Sequence, residues 1–151
     1  MVAGSIDVTE IERIEQNVSG EKPTGAVVTM SFSSSSPKET LGKIISVLIV
    51  VLKALRKDDW PEDIWWKENL PEWFTASFDH SLEEIMRDDS LWDFGSWIDA
   101  IKFRGWEWWS SEASDKTLKI YIQAQDDPYV IEAFEYAVSV SGGNNIVIAE
   151  S

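Results

Sequence analysis

At 151 residues, with 44% hydrophobic and 26% charged residues, the chain has the composition of one globular domain, 1–151, rather than of a disordered segment. Zero cysteines exclude a disulfide framework, a thiolate metal site and a cysteine nucleophile. A net charge of −14 repels phosphate backbones, so no nucleic-acid partner is expected.

The chain opens MVAGSIDVTEIERIE, without the basic and apolar regions of a secretory signal, and a cytoplasmic location is the expectation. Residues 5–18 set Ile6, Val8, Ile14 and Val18 on one alternating face, which predicts a half-exposed N-terminal strand. The turn chemistry of Glu21 to Gly25 leads to a second strand, Ala26 to Phe32.

Four serines precede Pro37. Ser36 as N-cap, Pro37 at the first helical position and Glu39 three residues after the cap predict a helix start rather than a linker. This helix runs to about Lys57, with Lys53, Arg56 and Lys57 at the end where the macrodipole favours cations. Its run Leu41–Leu55 is too short, and too interrupted by Lys43 and Lys53, for a bilayer span of roughly 20 apolar residues. No membrane association is expected. A helix apolar on nearly all sides needs cover on more than one face.

The candidate cover is the segment 58–104, expected to pack on this helix as a mostly helical insertion. Pro61 and Pro71 break it into short helices and loop, and Ser81-Leu82-Glu83-Glu84 and Ser90-Leu91-Trp92-Asp93 carry capping signals. Leu91, Phe94, Trp97, Ile98 and Ile101 follow the helical period, and Gly105 ends the helix.

From Trp106 the period becomes two. Trp106 and Trp108 face one way, Glu107 and Trp109 the other; after a turn at residues 113–116, Leu118, Ile120, Ile122 and Ala124 alternate with polar neighbours. Asp127-Pro128 predicts a further helix start, Gly142-Gly143 its stop, and Ile146–Ile148 a last strand. The predicted fold class is α+β: a ferredoxin-like split βαβ sandwich with an added N-terminal strand and the Trp-rich insertion after the first helix.

All nine tryptophans lie between Trp60 and Trp109, and so do fourteen acids against four bases from Asp58 to Trp109. Most of these indoles belong in a core. Trp109 is out of phase with its neighbours, and the adjacent Trp65 and Trp66 cannot both point inward, so these three and Trp73 are the candidate exposed anchors. Asp58, Asp59, Glu62 and Asp63 are the candidate steering charges. The acid clusters lack the spacing of a calcium loop, and the single histidine, His80, sits in a capping context with no identifiable co-ligands, so neither a metal nor a cofactor is predicted. Acids among tryptophans also describe glycosidase clefts, but no pair stands out among 27 acids.

The expectation is therefore an acidic, cytoplasmic protein-binding module that captures a basic partner, by charge steering and buried indoles. Inhibitors or immunity-type proteins that hold basic toxins are modules of this kind; the likeness is one of type, and no motif ties the chain to them. The alternative is a small-molecule-binding or catalytic domain with an aromatic-lined pocket. A sheet edge could also pair two copies into a homodimer.

Overall fold

A computed structural model of the chain describes residues 9–23, 25–88, 92–125 and 129–150. They form an α+β protein with seven α-helices and one four-stranded antiparallel sheet. In chain order the elements are α1 (Glu10–Gln16), β1 (Val27–Ser33), α2 (Pro37–Leu55), α3 (Asp63–Asn69), α4 (Glu72–Thr75), α5 (Leu82–Arg87), α6 (Phe94–Lys102), β2 (Trp106–Ala113), β3 (Thr117–Ala124), α7 (Glu132–Val140) and β4 (Asn144–Glu150). A 3₁₀ turn, Ala76–Phe78, follows α4. Two compact units result. One takes the described residues up to Lys38, from Gly105 to Tyr129 and from Asn144 onward; the other takes Glu39–Arg104 and Val130–Gly143.

The sheet unit has the strand order β2-β3-β1-β4, every neighbouring pair antiparallel. Alternation along the strands buries one face: Val28, Met30 and Phe32 of β1, Leu118, Ile120 and Ile122 of β3, and Trp106 and Trp108 of β2 are at most 3% exposed. At roughly 150–250 Å² of buried surface per indole, each of these two tryptophans contributes about 4–6 kcal/mol of hydrophobic stabilisation before entropy is counted.

The expected N-terminal strand is instead the helix α1. Thr9 and Glu12 form a reciprocal cap that outweighs the alternation: the Thr9 hydroxyl accepts from the Glu12 N–H at 3.2 Å and donates to the Glu12 carboxylate at 2.9 Å. Ile14 turns inward at 5% exposure, whereas Val18, expected on the same face, is 56% exposed beyond the helix. Ile6 and Val8 lie outside the described residues.

Docked on β2, α1 and the loop after it satisfy that strand's outer backbone groups. The Trp108 N–H donates to the Glu10 carboxylate at 2.7 Å, and Arg13 Nε donates to the Trp108 carbonyl at 3.3 Å. Further along, the Ser111 N–H donates to Asn17 Oδ1 at 3.1 Å, and the Gly20 N–H to the Ser111 carbonyl at 3.3 Å. Four groups that would template edge-to-edge pairing are thus occupied by the chain itself.

The helical unit is built on α2. Its start at Pro37 is where the sequence places it, and it closes at Leu55, two residues before the expected end. Ile44, Val47, Leu48 and Val51 meet Trp97 and Ile101 of α6 and Phe134 and Ala137 of α7 around a small apolar gap. An aromatic chain continues from there: Trp97 lies 4.9 Å from Phe74 and 6.3 Å from Trp66 between ring centroids, and Phe74 lies 5.3 Å from Phe78. Trp97 also donates its indole N–H to the Ala133 carbonyl at 2.9 Å, tying α6 to α7. Of the capping signals, Ser81 accepts from the Glu84 N–H as expected. Ser90 and Leu91 lie outside the described residues, and α6 begins later than predicted, with Asp93 as its N-cap accepting from the Ser96 N–H at 3.1 Å. Asp126 to Pro128 also lie outside them; α7 begins at Glu132 and ends before Gly142, whose φ of +114° suits glycine.

Candidate functional site

The residues from the end of α2 through α4 carry the sequence-predicted surface in the helical unit. Asp58, Asp59, Glu62 and Asp63 are all exposed. Glu62 is the N-cap of α3, yet its side chain makes no capping bond, and none of the four acids has an ion pair or side-chain hydrogen bond among the described residues. Helix capping therefore does not account for this cluster.

The α-helical geometry separates the adjacent indoles, since consecutive helix positions are about 100° apart. Trp65 is half-buried, whereas Trp66 is 0% exposed and packs at 5.3 Å on both Trp60 and Trp65. Trp66 is therefore a core residue and not the exposed anchor it was expected to be. Ile64, which no sequence signal marks, is 64% exposed, and Trp73 in α4 is 36% exposed.

The outward indoles are not bare. Lys57 places its Nζ 5.2 Å from the Trp65 ring centroid, Lys43 5.4 Å from Trp73 and Lys102 5.6 Å from Trp60. Cation–π contacts of this kind are worth about 0.5–1 kcal/mol at exposed sites. The sequence gives no warning of them, because Lys43 and Trp73 are joined only by the fold.

Trp109 belongs to the sheet unit. The register between β2 and β3 pairs Trp108 with Ile122 and Ser110 with Tyr121, leaving Trp109 as the extra residue of a β-bulge. Arg13 lies over its ring at 4.2 Å and is ion-paired to Glu107 at 2.7 Å. The indole nitrogens of Trp109, Trp108 and Trp66 are buried without a hydrogen-bond acceptor among the described residues. Trp109, Arg13 and Glu107 line a cleft of about 610 Å³ with Glu10, Glu21 and Gln123. Among the described residues, none of its lining comes from the segment 58–104. A second cleft, about 490 Å³, lies in the helical unit between Lys67, Glu72, Thr75, Phe78, Asp79 and Phe94.

Among the described residues three titrating groups are displaced from their ordinary values, and each has a structural cause. The Ser96 hydroxyl and N–H hold the Asp93 carboxyl low; burial raises the Tyr121 phenol, helped by the Glu112 carboxylate at 2.9 Å; burial raises Tyr136, which donates to Ser77 Oγ at 2.9 Å. His80, half-buried, has its Nδ1 3.6 Å from the exposed Glu84 carboxylate. Among the described residues no three His, Asp or Glu side chains converge as a metal site requires, and no helix is long and apolar enough to cross a membrane.

Comparison finds no matching family model, no similar curated protein and no similar solved structure.

Proposed function

We propose that the chain is a protein-binding module whose surface over residues 58–73 captures a basic partner. One observation carries the reading: four exposed carboxylates without internal partners flank indoles that already hold cations on their faces. Asp58, Asp59, Glu62 and Asp63 would steer an incoming Lys- or Arg-rich surface, and Trp65, Trp73 and the exposed Ile64 would hold it. An inhibitor or immunity-type role toward a basic protein is the form such capture would take, and a cytoplasmic location accompanies it. A ferredoxin-like connectivity is part of this reading, and the placing of α2 between β1 and β2 and of α7 between β3 and β4 supports it.

The test is capture on the immobilised full chain along a salt gradient. Basic proteins retained at low salt by the natural chain should be released earlier from a variant carrying Asp58→Asn, Asp59→Asn, Glu62→Gln and Asp63→Asn. Identical retention and salt dependence would refute the steering role. A second reading, small-ligand binding, is favoured by the 610 Å³ cleft beside Trp109; loss of binding on Trp109→Leu with no effect of the four amides would select it.

A further inference from the structure

The two outer strands of the sheet are protected unequally. Side chains and backbone of α1 and its following loop occupy the outer groups of β2, whereas no strand pairs with the outer side of β4 among the described residues. Lysine, proline and inward charge are the usual blocks on an open edge. β4 has none of them: from Asn144 to Ala149 it carries no charge at all, in a chain of net −14. Val147, at its centre, is 62% exposed.

We infer that β4 is the self-association edge, where two copies of this chain pair antiparallel about a two-fold axis at Val147. That register sets Val147 against its twin, Ile146 against Ile148 and Asn145 against Ala149, and covers the exposed valines with each other. It also brings the Asn144 end of one strand toward Glu150 of the other, an amide beside a carboxylate; parallel pairing would set Glu150 beside Glu150. The neutral strip is what lets two strongly acidic molecules approach along this line. The left-handed Asn145, at φ +55°, and the register irregularity near it end the ladder there, so the contact is short and the dimer weak. With β2 covered, a third copy has no edge to join, and assembly stops at two.

The experiment is sedimentation equilibrium on the full chain at up to about 0.5 mM, where an interface at the small end of the size scale associates. The natural chain should rise from 17.2 kDa toward twice that mass. Val147→Lys and Val147→Glu should each weaken self-association about tenfold or more, because like charges then face each other; an equimolar mixture of the two should dimerise again. Val147→Thr, uncharged and β-tolerant, should dimerise and controls for folding, checked by circular dichroism. A natural chain that stays at 17.2 kDa, one that grows beyond a dimer, lysine or glutamate variants that associate like the natural chain, or a mixture that stays monomeric would each overturn the inference.

Discussion

Glu10 and Trp108 are joined by a 2.7 Å hydrogen bond from the Trp108 backbone N–H to the Glu10 carboxylate, and Glu10 is only 8% exposed. A buried N–H deprived of its acceptor costs about 1–3 kcal/mol. Glu10→Ala should therefore lower stability by that amount in urea unfolding and accelerate hydrogen exchange at the Trp108 amide, while Glu10→Gln, which keeps an acceptor oxygen, should lose much less. Equal stability of the alanine variant and the natural chain would mean that α1 contributes nothing to the edge.

Trp97 and Trp66 are both 0% exposed, but only Trp97 has an acceptor, the Ala133 carbonyl. Trp97→Phe removes volume and a buried hydrogen bond together and should cost about 2–4 kcal/mol. Trp66→Phe removes volume and an unsatisfied donor, so its cost should be the smaller of the two. Thermal or urea unfolding of the pair decides the order.

Acid should selectively weaken the start of α6. Asp93 titrates below its ordinary 3.8 because the Ser96 hydroxyl, and then its N–H, favour the carboxylate. A carboxyl depressed in the folded state stabilises fully above its unfolded value and loses that contribution as pH falls through the folded one. Asp93→Asn, which caps without titrating, should thus differ from the natural chain at pH 7 and converge with it below about pH 3.8. Asp93→Ala should cost about 1 kcal/mol at neutral pH. A pH-independent gap between the natural chain and the asparagine variant would exclude this account.

At Gly142 a Cβ would stand 3.0 Å from Thr40 Oγ1 with φ at +114°. Gly142→Ala should destabilise by about 1–3 kcal/mol. Adding Thr40→Ala removes the contact but not the backbone strain, so only part of the loss should return; complete recovery would place all of the cost in the contact.

The lysine over Trp65 is open to a double-mutant cycle. Lys57→Met and Trp65→Leu should couple by about 0.5–1 kcal/mol, and a coupling indistinguishable from zero would make the contact a geometric accident.

How much of this could be read from the sequence varies by element. Pro37 and Glu39 mark the start of α2, and alternation over Leu118, Ile120 and Ile122 marks β3, all three of which are buried, although Tyr121 on the opposite face is buried as well. At residues 9–16 two signals conflict. Thr9-x-x-Glu12 is a capping box, and it prevails over an apolar alternation that rested partly on Val18. Trp109 breaks phase with its neighbours because it is the extra residue of the bulge, and a one-residue register shift emerges only when β2 meets β3. The cations over Trp65, Trp73 and Trp109 were illegible for a related reason: Arg13 and Trp109 lie 96 positions apart along the chain.

That separation also governs the order of folding. Glu10 and Trp108 are 98 positions apart, so α1 emerges from the ribosome long before its docking strand exists. A seven-residue helix has little stability of its own, and closing so long a loop is slow to be rewarded. The cover on β2 is therefore a late event in folding, and a nascent chain exposes that strand until α1 returns to it.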